Sequence, residues 1–294
     1  MIKEVHMRRI MILIVAFVLA TAGCGSDNTV SDQAQNAADA TTTTVAAEPV
    51  TTTTTAPSAA WPAEGEPWDL LYISDSGGWG VADLLAEQAA EALGVEVRVY
   101  DHASGGLSAV TALARIRGDA YPNISDWVRE SEIIVVYGNP EDSGADLEIG
   151  TCVSTSIMER EPPAHQTAAD YQPYEKVLDE LYAEIWKLRE GTPTVLRAID
   201  LYNPVISAWR EAGIDPECTE HWELWSSVIR GAAEANGAVM VSTYDLFNGP
   251  SHDEDPREKG YIGSDGEHTT TQGAAAIAAA IAAKGFEPTA PPGD

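Results

Sequence analysis

For a chain of 294 residues, this sequence is short of cysteine, of basic side chains and of long apolar runs. Its three cysteines form no Cys-x-x-Cys pair and no cluster with histidine, which argues against thiolate metal sites such as zinc ribbons. Lys and Arg together number 17 against 46 Asp and Glu, a formal charge of −29. A surface so acidic repels phosphate backbones and excludes nucleic acid as a partner. The one strongly apolar stretch, Ile10 to Ala20, is about half of the ~20 residues that span a bilayer, so a permanent membrane helix is excluded. No Gly-Lys-Ser/Thr follows the glycines near residue 77, which removes a phosphate-binding loop.

What is present at the amino end has the layout of an export signal. Lys3, Arg8 and Arg9 precede the apolar run, and small residues follow up to Cys24. Residues 1–23 therefore read as a signal peptide. Thr21-Ala22-Gly23-Cys24 resembles a bacterial lipobox, with Thr21 where Leu is usual, and the resemblance implies a lipidated Cys24 that anchors an exported protein to a membrane. Residues 24–66 are rich in Thr and Ala, with runs at 41–44 and 51–55 and almost no large apolar side chain. Such a segment cannot bury enough surface to order itself. As a flexible tether it would reach roughly 35 Å.

The remaining chain, residues 67–286, is long enough for one sizeable α/β domain, with 287–294 as a disordered tail. Strand-like runs occur at Asp69–Ser74, Val95–Tyr100, Ile133–Tyr137, Thr194–Ile199 and Ala238–Ser242. None alternates strictly, as expected of strands buried on both faces. Helix-like segments lie between them at Val81–Leu93, Ala109–Arg117, Tyr174–Arg189 and Trp222–Ala235. A last one, Gln272–Lys284, shows a narrow apolar edge at Ile277 and Ile281. This alternation predicts a parallel sheet covered by helices on both sides. In such sheets ligands gather at the carboxyl ends of the strands, so those ends are where chemistry is sought.

The first strand runs into Ser74-Asp75-Ser76-Gly77-Gly78. Asp-Ser-Gly-Gly surrounds the nucleophile of chymotrypsin-like proteases, but those need a His and then an Asp ahead of the Ser. Here the only earlier histidine is His6, inside the leader, and the strand–helix alternation is wrong for a double β-barrel. A Gly-x-Ser-x-Gly elbow fails because Ser74 stands at the first Gly position. The second strand leads to Ser104-Gly105-Gly106, the third to Tyr137-Gly138-Asn139-Pro140, and the fourth to Asn203-Pro204. Before the last helix comes Asp265-Gly266-Glu267-His268, a spacing that lets a carboxylate hold an imidazole in one tautomer. His102, His165, His221 and His252 have no such companion and are expected on the surface or in loops. Cys152 and Cys218 are expected to form a disulfide in an oxidising compartment, or to be two buried thiols.

Taken in order, these strand ends resemble the SGNH (GDSL-type) hydrolase family over the whole domain. Ser74-Asp75-Ser76 matches the first family block, Gly105 the second, Gly138-Asn139 the third and Asp265-x-x-His268 the last. Ser74 and Tyr137 stand where the family has glycine. The resemblance implies a three-layer α/β/α sandwich with a five-stranded parallel sheet, flavodoxin-like in order. It further implies a serine esterase or lipase, or a carbohydrate deacetylase, working through an acyl-enzyme on Ser76, with His268 as base and Asp265 orienting it. The oxyanion would be held by the Asn139 amide and the backbone N–H groups of Ser76 and Gly105. The implied enzyme is a monomer, uses no cofactor or metal, and acts on a small or polymeric ester. The competing readings are a catalytically silent binding domain of the same fold and an acyltransferase. The long segment from Glu141 to Tyr174 is expected to wall the cleft.

Overall fold

The computed structural model describes residues 65–141, 143, 152 and 165–292. The leader, Cys24 and nearly all of the tether lie outside those residues, as does most of the segment expected to wall the cleft.

Five strands form one parallel sheet: β1 (Trp68–Ser74), β2 (Val97–Ala103), β3 (Ile133–Val136), β4 (Val195–Ile199) and β5 (Val239–Val241). Their order is β2-β1-β3-β4-β5. The chain starts near the middle, moves out to β2, then crosses back over β1 to β3. That reversal opens a crevice beyond the carboxyl ends of β1 and β3, the usual ligand position in a doubly wound sheet. Register brings those ends level: Ile73 pairs with His102 on one side and Val136 on the other, and Val136 with Ala198.

Burial on both faces holds only for the centre. Every residue of β3 and β4 is buried, and all of β1 except Trp68. The edge strand β2 has a single buried residue, His102, and β5 has only Val241. Edge strands have one neighbour, so their side chains reach solvent.

The helices are α1 (Val81–Leu93), α2 (Ala109–Arg117), α3 (Ser125–Glu130) and α4 (Gln172–Arg189), followed by α5 (Ile206–Ala212), α6 (Asp215–Ala235), α7 (Thr243–Asn248) and α8 (Thr271–Ala282). The last helix packs on α1, while α4 packs on α2, α3 and α6. Together with the sheet these helices make a three-layer α/β/α sandwich. Helix α8 buries more than the edge expected of it: Gly273, Ala274 and Ala278 go inside with Ile277 and Ile281. Alanine can bury without leaving a polar group behind, so a face too small to stand out in sequence still packs.

The tail also departs from expectation. Thr289 donates its N–H to the Thr194 carbonyl at 2.8 Å, and the buried Arg197 guanidinium donates to the carbonyl of Gly285 at 2.6 Å and of Glu287 at 3.4 Å. A buried cation needs acceptors, and the chain beyond Phe286 supplies one of them. Among the described residues no helix is long and apolar enough to cross a membrane.

Candidate active site

The turn after β1 is a single 3-10 turn, Ser76–Gly78, capped by Asp75, whose Oδ1 accepts the Gly77 N–H at 2.8 Å. This turn leaves Ser76 half-buried at the crevice, with Ser74 and Asp75 buried beneath it. A Cβ on Gly78 would overlap the Ser74 hydroxyl and lie 2.7 Å from the Tyr72 hydroxyl. Glycine at 78 thus makes the room that the Ser74 side chain occupies. Tyr137 is buried too, and it lines the same small cavity under the turn as Ser74, Asp75 and Asp200. The two positions that depart from the family pattern therefore face one space, each filling part of it.

At the end of β3, Gly138 is needed for close approach, since a Cβ there would meet Ala109 Cβ at 2.9 Å and Leu178 at 3.1 Å. Its carbonyl accepts the Tyr174 hydroxyl. Next to it, Asn139 donates its side-chain amide to Asp75 Oδ2 at 3.1 Å and accepts the Glu141 N–H at 2.9 Å. The Asn139 carbonyl receives the Ala109 N–H at 2.8 Å, which ties the strand end to the start of α2. Burial pushes the Asp75 carboxyl above its ordinary value. The Asn139 and Gly77 hydrogen bonds oppose the shift, and the charges of Glu141 and Glu267 add to it.

The turn after β2 is held to β1 by the Ser104 N–H, which donates to the Ser74 carbonyl at 3.0 Å. Gly105 is exposed there, and a Cβ on it would sit 3.7 Å from the Trp79 ring.

The Asp265–His268 pair lies on the loop before α8. Asp265 Oδ1 accepts the N–H groups of Glu267 and His268, each at 3.0 Å, while Oδ2 lies 3.0 Å from His268 Nδ1. Those backbone donors, then the imidazole, hold the Asp265 carboxyl down at about 2. Both side chains are open to water, Asp265 at 53 % and His268 at 30 % exposure.

Two residues at the site carry no motif. Trp79, 46 % exposed, stacks on the His268 ring with centroids 4.9 Å apart and planes 15° apart. Tyr202, buried after β4, donates its hydroxyl to the Glu267 carbonyl at 3.2 Å. A tryptophan three places beyond a candidate nucleophile was the available signal for the first. The Tyr202 contact depends on where the last loop lands, and no local pattern announces it. Asn203 is buried and pairs with Asn248 (N–H to Oδ1, 2.8 Å), a structural link between β4 and α7.

Two of the remaining histidines depart from expectation, while His165 and His252 lie in loops as expected. His102 is buried on β2 against Arg115, and His221 is buried in α6. His252 lies between Glu223 and Asp245, largely covered, and only His165 is well exposed. Cys152 and Cys218 form a disulfide. It joins α6 to the stretch between β3 and α4, and Trp209 donates its indole N–H to the Cys152 carbonyl at 2.7 Å. Among the described residues no group of three or more His, Cys, Asp or Glu is arranged to hold a metal ion.

No family model matches the chain, and no curated protein matches it. Solved structures do resemble it. The lipase Lip_vut3 from a goat rumen metagenome is similar over 75 % of this chain and 98 % of its own, with a TM-score of 0.54 at 19 % identity. An acetyl xylan esterase, AlAXEase, is similar over 74 % of this chain and 99 % of its own at 14 % identity, with a TM-score of 0.47. The psychrotrophic esterase EstA from Pseudoalteromonas sp. covers 72 % and 93 % at 12 % identity, with a TM-score of 0.44. The latter two likenesses are too loose to add weight. The first is a likeness of fold: a five-stranded parallel sheet between layers of helices.

Proposed function

We propose that this protein is a serine hydrolase of carboxylic esters. The observation that carries the reading is the meeting of three chain segments at the crevice. Trp79, on the turn that presents Ser76, touches the imidazole of a carboxylate-paired His268, and Asn139 hydrogen-bonds the residue before Ser76. A hydroxyl, a base with its tautomer held, and an amide donor are the parts that acyl transfer requires.

In the proposed reaction Ser76 Oγ attacks the ester carbonyl carbon while His268 Nε2 takes the hydroxyl proton. With Nδ1 facing Asp265, Nε2 is the nitrogen left for that task. The oxyanion is met by the backbone N–H groups of Ser76 and Gly105 and by Asn139, whose amide nitrogen has a second N–H besides the one given to Asp75. The C–O bond breaks as His268 returns its proton to the leaving alcohol. Water then attacks the acyl-enzyme, His268 takes its proton and passes it to Ser76 Oγ as the acyl bond breaks, and the acid departs with Ser76 and His268 restored.

Glu141 and Glu267 lie close enough for their charges to act on Asp75, so the site repels anionic substrates at low salt. Neutral esters of the lipid or acetylated-carbohydrate kind suit it better. The signal-like start and the Thr-rich segment support export, with the domain held outside the cell through a lipidated Cys24; metabolic labelling with a palmitate analogue tests that anchor. For the chemistry, Ser76→Ala should abolish hydrolysis of p-nitrophenyl acetate and labelling by a fluorophosphonate. Wild-type-like turnover in that variant would sink the assignment.

A further inference from the structure

In a site of this kind the imidazole must stay aimed at the nucleophile, and Asp265 is poorly placed to hold it alone. The carboxylate is more than half exposed and hydrogen-bonds within its own loop, two or three residues away. An exposed ion pair of that type contributes little to fixing a side chain. It sets the tautomer of His268 without tying the loop to the rest of the site.

Trp79 supplies what Asp265 lacks. Its indole lies nearly parallel to the imidazole, 15° between planes at 4.9 Å, and it comes from a different chain segment than the Asp265 loop. Its backbone N–H closes the turn that presents Ser76, donating to the Ser76 carbonyl at 3.3 Å. One residue thus joins the nucleophile turn covalently and the base by contact. At 46 % exposure it is one of only two large apolar side chains left that open among the described residues, and it belongs neither to the core nor to the side chains packed against it.

We infer that Trp79 is a positioning residue, fixing the His268 ring relative to Ser76 by stacking. This rests on the ester-hydrolase reading of the site. The indole face attracts the imidazolium formed once the ring has taken the Ser76 proton, so the contact strengthens along the reaction as well as aligning the ring before it.

The test is a set of three variants, Trp79→Ala, Trp79→Phe and Trp79→Leu, each assayed for kcat and KM on p-nitrophenyl acetate and for Tm. Losing an aromatic stack should lower kcat in the Ala variant by about three- to tenfold. KM and Tm should scarcely move, because Trp79 stands outside the core. Phe should restore kcat to within about twofold, and Leu should not, since it offers bulk without a ring.

A second readout needs no activity. The His268 ring protons, assigned by their loss in His268→Gln, should be shifted upfield by the indole ring current in wild type and in the Phe variant, and not in Ala. An unshifted wild-type signal overturns the contact. A Leu variant as active as Phe, or an Ala variant with unchanged kcat, overturns the positioning role. If Ser76→Ala retains full activity, the ester-hydrolase reading falls and the catalytic role of Trp79 with it, whereas the ring-current result still reports on the stack.

Discussion

The two sides of the candidate site are held by different forces. Ser76 stands on a buried foundation: Ser74 and Asp75 lie within the sheet's carboxyl edge, Tyr137 lines the cavity beneath, and Asn139 clamps Asp75 from the neighbouring strand end. Asp265 and His268 stand on an exposed loop whose hydrogen bonds are mostly to itself. The loop is tied to the remainder by the Tyr202–Glu267 bond and the Trp79–His268 stack. The position of Ser76 is thus set by the core, while His268 depends on a few contacts at the surface. Mutations on the first side should touch stability and rate together, and on the second side rate alone.

Beyond Ser76 itself, the largest effect expected is at Asp265. Asp265→Asn leaves the loop short of one acceptor and lets the imidazole take the wrong tautomer. By analogy with the serine-protease triad, where the same change costs about 10⁴ in kcat, turnover should collapse. Stability should change by no more than about ±0.5 kcal/mol, as is typical of an exposed substitution, so Tm should scarcely move. A large fall in Tm would show that the loop is more deeply built in than its exposure indicates.

Asn139→Ala should act on both properties. Loss of an oxyanion donor costs on the order of 10²–10³ in rate. The same change removes a partner from the buried Asp75 carboxylate, a penalty of about 1–3 kcal/mol. Thermal unfolding beside steady-state kinetics checks the pair, and an unchanged Tm would break the contrast between the two sides.

The smallest effect concerns the two carboxylates themselves, which the two environments push in opposite directions. Asp265 should titrate near 2, below the ~3.9 of an unfolded chain. Its contribution to stability is therefore present above the unfolded value and lost as pH falls through about 2. Asp75 is raised chiefly by burial, so its contribution is present below the unfolded value and lost as pH rises through the folded one. Carbon-13 NMR of the side-chain carboxyls would resolve both. Two transitions at the same pH would contradict the difference in surroundings.

Much of this was legible in sequence because it is local. Apolar runs such as Ile133–Val136 cannot be placed elsewhere than inside a sheet, and βα alternation makes that sheet parallel. Asp265 and His268 are close in the chain, so their pairing follows from spacing. The histidines misled because a lone His has no pattern: whether His102 meets Arg115 or solvent depends on which strand is an edge and which helix covers it.

By itself, then, the sequence determined the parallel α/β layout and the residue types at each strand end, since residue type and local spacing are properties of the chain. The tertiary structure alone decided that Ser74 and Tyr137 share one cavity, that Asn139 grips Asp75, and that Trp79 meets His268. Those contacts join segments far apart in sequence. They exist because packing of the sheet and its helices brings the strand ends to one crevice.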